Sequence, residues 1–172
     1  MKTLLLAAGR SLRMDPLPDK NFLEVCGRPL AAWQLSMLIK NGCKEVIVVA
    51  GEHNLKLFKD LIAREKQFKN VRVVEQKDLE EGMRGAVLSA RRFVKKDEPL
   101  LIVSSNDFVD EKLFARIAKF AYSASAGKTL EGLIAGKKVE DYFPGGYLKT
   151  DRKGLIQGII EKPGAGNEPS DM

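Results

Sequence analysis

The sequence predicts an α/β protein: a doubly wound, mostly parallel sheet in a three-layer α/β/α arrangement. Three observations carry this. Four short segments, at residues 4–6, 45–50, 71–76 and 100–103, read as strands, and the first, Leu4-Leu5-Leu6, has no polar alternation and suits a strand buried on both faces. Segments of helical periodicity separate them, which gives the β-α-β-α order of a parallel sheet. Finally, the polar, glycine-rich and charged residues gather just after the apolar runs, where open α/β sheets bind ligands.

Each element has its own justification. Pro29 suits a first helical turn, Leu30, Trp33, Met37 and Leu38 read as one apolar face, and Asn41-Gly42 supplies the stop. Leu55, Phe58, Leu61 and Ile62 mark a helix over 54–66, and Gly51 closes the strand before it. A helix over 82–94 turns Ala86, Ala90 and Phe93 inward, and another over 111–125 uses Leu113, Phe114, Ile117 and Phe120. Asp110 reads as the cap of that last helix. Residues 130–136, 145–150 and 155–162 read as short strands that extend the sheet or add a small antiparallel flap. We read residues 1–163 as one α/β domain, without internal repeat or linker, and 164–172 as a flexible tail too polar and broken to form an element.

Composition narrows the function. The chain has 172 residues, 44% of them hydrophobic, a net charge of +6 and a pI near 9.3. That charge fits a polyanion, but the 29 basic residues are dispersed and aromatics reach only 7%, without basic–aromatic interleaving. Phosphorylated small molecules fit better than nucleic acid. Cys26 and Cys43 form no C-x-x-C and read as semi-buried free thiols; with no signal peptide and no long apolar span, the expectation is a soluble cytoplasmic protein that does not enter a membrane. His53, the only histidine, reads as a solvated residue at a helix start, and one histidine with two scattered cysteines makes a zinc site a poor fit.

The richest stretch is residues 4–23. After Leu6 the side chains shrink through Ala7, Ala8 and Gly9, so backbone N–H groups lie open, and Arg10, Arg13 and Lys20 follow. Bare amides beside cations make a phosphate site. Downstream, Gln76 ends a strand and offers donor and acceptor to a base edge, and Gly82 would let a flat ring approach backbone. Asp107, past the fourth strand, is well placed for Mg²⁺, with Asn106 the fallback. Near Gly146, an adjacent Glu161 and Lys162 could take a sugar hydroxyl and a phosphate.

Taken together, Leu6-Ala7-Ala8-Gly9, Arg13-Met14, Pro16-Leu17, Lys20 and Gly27-Arg28-Pro29-Leu30 resemble the opening of the sugar-1-phosphate nucleotidyltransferases. Gln76 with Gly82, Asp107, Gly146-Tyr147 and Glu161-Lys162-Pro163 follow in that family's order. The resemblance implies a Rossmann-like, GT-A-like fold and the transfer of a nucleoside monophosphate from a nucleoside triphosphate to a sugar 1-phosphate, with Mg²⁺ as cofactor. It assigns Leu6, Ala8, Gly9, Gln76 and Gly82 to the nucleotide, Arg13 and Lys20 to its phosphates, Gly146 and Glu161 to the sugar, Lys162 to the sugar phosphate and Asp107 to the metal. Three departures stand out: Ser11 replaces a second glycine, Asp19 replaces the proline before Lys20 and weakens the local positive field, and Met83-Arg84 replaces a small pair. The resemblance covers the amino-terminal part of the family's catalytic domain, so the domain is expected to be incomplete at its carboxyl end; a homo-oligomer is compatible with it. A nucleotide-binding module without efficient turnover, or a transferase for a non-sugar phosphate, is the alternative.

Overall fold

A computed structural model describes residues 1–14, 16, 19–107, 109–124 and 132–172; the side chains of residues 13, 118 and 121–124 are outside that description. The Cα trace divides into two compact units, Met1–Lys128 and Thr129–Met172, a division that composition alone does not reveal.

In the first unit the chain runs β1 (Lys2–Leu6), a small hairpin of β2 (Glu24–Val25) and β3 (Arg28–Pro29), then α1 (Leu30–Lys40), β4 (Glu45–Ala50), α2 (Glu52–Arg64), β5 (Val71–Glu75), α3 (Gly82–Ser89), β6 (Leu100–Ser104) and α4 (Glu111–Ala124). The four long strands form one sheet in the order β5-β4-β1-β6, with every pairing parallel. β1 and β4 are the inner strands, and their apolar runs are buried on both faces: Leu4 and Leu5, like Val48 and Val49, are 0% exposed.

Two clusters fill the two faces. Leu5, Val46, Val48 and Val103 pack with Leu35 and Leu38 of α1, Phe58 of α2 and Phe114 of α4. Leu4, Ile47, Val49 and Val74 pack with Ala86 of α3 and with Ala90. Crossovers are right-handed, so helices between strands that step in opposite directions land on opposite faces. The steps β1→β4→β5 put α1 and α2 on one face, and the return step β5→β6 puts α3 on the other. The three-layer, Rossmann-like α/β expectation therefore holds.

Several local readings change. The inward face of α1 is Ala31, Gln34, Leu35 and Leu38, not the face containing Trp33, which is 40% exposed, donates its Nε1–H to the Val25 carbonyl and lies under the Arg28 guanidinium. The hairpin β2–β3 fixes that outward position. The third helix ends at Ser89 and tightens into a 3-10 turn at Arg91–Phe93. Cys26 is exposed and Cys43 buried, so neither is semi-buried. Asp110 does cap α4, its Oδ1 accepting the Lys112 N–H at 2.6 Å.

The second unit contains β7 (Gly146–Thr150) and β8 (Ile156–Glu161), an antiparallel pair and so the flap rather than a sheet extension. Residues 132–136 form no strand, while 130 and 131 lie outside the described residues. Residues 162–172 form no helix or strand, yet the chain end is tied to β7: the Ser170 hydroxyl donates to the Leu148 carbonyl at 2.6 Å, and the Leu148 N–H donates to Met172 O. Among the described residues no helix is long and apolar enough to cross a membrane.

Two predictions follow from this packing. Phe58→Ala removes a fully buried ring from the larger cluster and should lower unfolding free energy by about 3–5 kcal/mol in urea denaturation. At the start of β1, Lys2 Nζ reaches Glu98 at 3.0 Å and the Phe93 carbonyl at 2.7 Å. The Lys2 ammonium holds the Glu98 carboxyl below its ordinary value. A carboxyl lowered in the folded state stabilises fully above its unfolded pKa of about 4.3 and loses that contribution as pH falls through the lowered value. Glu98→Gln should flatten the acid limb of a melting-temperature profile below about pH 4.

Candidate functional site

The strand order reverses beside β1: the chain leaves it toward β4 on one side and returns to β6 on the other. Such a switch point opens a crevice at the carboxyl ends of the strands. Leu6 pairs with Ser104 in register, and beyond that pair the two chains separate into loops.

The loop after β1 stays close to the sheet for two residues. Ala7 N–H donates to the Val49 carbonyl at 2.8 Å, and Ala8 is buried before Gly9 emerges exposed. Lys20 opens a short 3-10 turn, Lys20–Phe22, and its Nζ donates to Asn106 Oδ1 at 3.3 Å. A methyl group on Gly9 would sit 3.8 Å from that same ammonium. Gly9, Lys20 and the loop after β6 are thus brought together. Ser11 keeps the glycine-type backbone of the pattern it departs from: its φ is +56°, a region that costs a side-chain-bearing residue about 1–2 kcal/mol. Arg13 lies in the 3-10 turn Leu12–Met14.

In the loop after β6, Asn106 Oδ1 accepts both Lys20 and the Ser104 hydroxyl, at 2.7 Å for the latter, so its oxygen is engaged. Asp107 is exposed, and among the described residues no recorded donor engages its carboxylate. Its carbonyl, by contrast, accepts Nε2 of Gln34 at 2.9 Å, an amide 0% exposed in α1. Of the two metal candidates, Asp107 presents the free oxygens.

Gln76 follows β5, its N–H on the Ala50 carbonyl, and is 3% exposed. Its Nε2 donates to the carbonyls of Asp78 and Gly82, at 2.8 and 2.9 Å. Both amide protons are therefore spent on the loop, and only the oxygen remains for a ligand. This corrects the expectation of a donor and an acceptor together. Gly85 permits the arrangement, because a Cβ there would lie 2.8 Å from Gln76 Nε2. Gly82 has φ +58° and is exposed. An exposed ion pair between Arg10 and Glu80, at 3.2 Å, brings the loop after β1 beside the segment ahead of α3.

In the second unit, Gly146 and Glu161 are cross-strand partners, and a Cβ on Gly146 would stand 3.1 Å from Glu161 Oε2. Lys162 follows with φ +47° and its N–H on the Gly145 carbonyl. These three candidates come together at one end of the flap.

Sequence reasoning missed the residues that hold these loops. Asn21, Gln34 and Asn54 are each 0% exposed, and none carries a motif. Gln34 had a usable signal: it is a polar residue on the face that Ala31, Leu35 and Leu38 bury. Asp19, expected to weaken the field at Lys20, engages Asn21, Asn54 and His53, and its side chain is 8% exposed.

A sequence profile described as "Nucleotidyl transferase" matches residues 2–169. Over 166 residues the chain is 31% identical to the bifunctional sugar-1-phosphate nucleotidylyltransferase/acetyltransferase of Sulfurisphaera tokodaii, covering 95% of this chain and 37% of that protein. It is 26% identical to the mannose-1-phosphate guanylyltransferase catalytic subunit beta of Drosophila melanogaster, over 94% of this chain and 44% of that one. The chain thus spans less than half the length of these curated relatives. Among solved structures, HddC from Yersinia pseudotuberculosis complexed with GMP-PN shares the fold, with a TM-score of 0.71 at 19% identity, over 97% of this chain and 72% of HddC.

Replacing Gln76 by leucine removes two hydrogen bonds worth about 0.5–1.5 kcal/mol each. Gln76→Leu should lower stability by about 2 kcal/mol and speed amide hydrogen exchange selectively over residues 78–82, as read by mass spectrometry.

Proposed function

Because this chain belongs to the nucleotidyl transferase family, we propose that it transfers a nucleoside monophosphate from a nucleoside triphosphate to a sugar 1-phosphate. The observation that carries this reading is the meeting of Gly9, Lys20 and the Asn106-Asp107 loop at the switch point between β1 and β6.

In this reading a phosphate oxygen of the sugar 1-phosphate attacks the α-phosphorus. A new P–O bond forms, the bond from the α-phosphorus to the bridging oxygen breaks, and pyrophosphate leaves with the electron pair. The attacking phosphate is already ionised at neutral pH, so no strong general base is required; positioning and charge neutralisation supply the catalysis. The amides after Ala8 and the ammonium of Lys20 bind the triphosphate, joined by Arg13 on the strength of the family pattern. Leu6 and Ala8 line the approach to it. Gln76 offers its oxygen to an N–H on the base, beside Gly82. We assign Gly146 and Glu161 to the sugar and Lys162 to its phosphate.

The donor set suits magnesium. Among the described residues no cluster of three His, Cys, Asp or Glu side chains could enclose a metal, but Mg²⁺ in phosphoryl-transfer sites is held by one or two carboxylates and completed by substrate phosphates. Asp107 would hold it, and the ion would neutralise phosphate charge.

The test is a panel of nucleoside triphosphates against sugar 1-phosphates with Mg²⁺, following pyrophosphate release and the sugar nucleotide. A matched pair should give both products in equal amounts; nucleotide binding without either would overturn the transferase reading. In the active pair, Lys20→Ala should reduce turnover about 10²–10³-fold, the scale for losing one charge-stabilising donor. Its unfolding free energy should shift by no more than about 0.5 kcal/mol.

A further inference from the structure

Asp19 stands directly before Lys20 but does not pair with it. Its carboxylate is nearly closed off from solvent, a position that is costly unless hydrogen bonds compensate the charge. Four donors do so. Oδ1 accepts the Asn21 backbone N–H at 2.8 Å and Asn21 Nδ2 at 2.6 Å. Oδ2 accepts Asn54 Nδ2 at 2.8 Å and lies 3.1 Å from Nε2 of His53. His53 is thus a partner of this carboxylate rather than a merely solvated residue.

The same two asparagines act on the loop after β1. Asn54 Nδ2 also donates to the Ala7 carbonyl at 2.9 Å, and Asn21 Nδ2 reaches it at 3.4 Å. Asn54 spends its oxygen on the Gly51 N–H at 3.0 Å, so this amide has no freedom left. Gly51 lets the parts close up, since a Cβ there would come within 2.7 Å of the His53 ring and 3.1 Å of the Ala8 carbonyl. One carboxylate therefore ties the start of α2, the turn at residues 19–22 and the first carbonyl after β1 into a single unit.

The direction of Lys20 is the consequence. With residue 19 fixed on the α2 side, the next side chain leaves away from it, toward Asn106 and Gly9. We propose that Asp19 is a positioning residue that aims the Lys20 ammonium at the triphosphate, and that His53, Asn54 and Asn21 hold it in place. This rests on the nucleotidyltransferase reading above. The acid where the family pattern has proline is then a replacement clamp, made by hydrogen bonds in place of a rigid ring.

The test uses the full chain and Asp19→Ala, Asp19→Asn, Lys20→Ala and the two Asp19 variants combined with Lys20→Ala. Affinity is measured for the preferred nucleoside triphosphate and for the corresponding nucleoside, with melting temperature alongside. Asp19→Ala should weaken triphosphate binding about tenfold and nucleoside binding less than twofold. In the Lys20→Ala background it should weaken triphosphate binding less than twofold. A loss of equal size in both backgrounds, or an equal loss for the nucleoside, would assign Asp19 a purely structural role and overturn the proposal. Asp19→Asn keeps volume and one acceptor, so it gives the same comparison if the alanine variant does not fold. A second measurement needs no nucleotide: acylation of Lys20 by an amine-reactive ester, scored by mass spectrometry against Lys59, should rise at least threefold when Asp19 is replaced. An unchanged Lys20 rate overturns the clamp, whereas a threefold rise in the Asp19 variants, with no triphosphate binding by the wild-type chain, overturns the nucleotide reading and leaves the clamp standing.

Discussion

Everything at the candidate site depends on β1 being paired on both sides. Lys2–Leu6 is hydrogen-bonded in parallel to β4 and to β6, so its backbone groups are satisfied within the sheet and its side chains are enclosed by both hydrophobic clusters. A strand held so completely has one way out, past Leu6, at the place where the sheet changes direction. The loop is bound to emerge into the crevice, and its small residues arrive there because of topology rather than local preference.

A loop delivered to the right place still has to be kept there. Three loops leave this edge, and each is fixed by a side-chain amide buried in the protein. Asn54 of α2 holds the carbonyl of Ala7, Gln76 holds those of Asp78 and Gly82, and Gln34 of α1 holds that of Asp107. Amides suit this work because they are uncharged, so burying them costs less than burying a cation, and their two protons can bridge two groups. Backbone carbonyls pinned from beneath leave amides and charged side chains free to face a ligand. That is preorganisation, in which the ordering cost is met during folding and not on binding.

How much of this the sequence discloses follows from which interactions are local. The inner strands are legible, because continuous apolar runs at residues 4–6 and 45–50 have few other uses. The meeting of small residues and a cation in the β1 loop is legible too, since Gly9 and Lys20 belong to one short stretch. The face of α1 is misread because Trp33 is large and apolar, and its outward position depends on the distant partners Val25 and Arg28. The partners of Asp19 are hidden for a similar reason: the sequence shows only its neighbour Lys20, while the residues that engage its carboxylate come partly from 34 and 35 positions downstream. Gln76 is placed correctly but its protons are not, because the carbonyls that consume them belong to a loop whose path cannot be read from residue types.

Gln34 shows what such an arrangement asks of the core. It occupies a core position in α1 where leucine would fit the surrounding apolar side chains, and its Oε1 is buried with no hydrogen-bond partner among the described residues. An orphaned buried acceptor carries a penalty of about 1–3 kcal/mol. A leucine at this position would remove that orphan but leave the Asp107 carbonyl without its donor. The amide at position 34 thus trades fold stability for a rim held steady beside the Asp107 carboxylate.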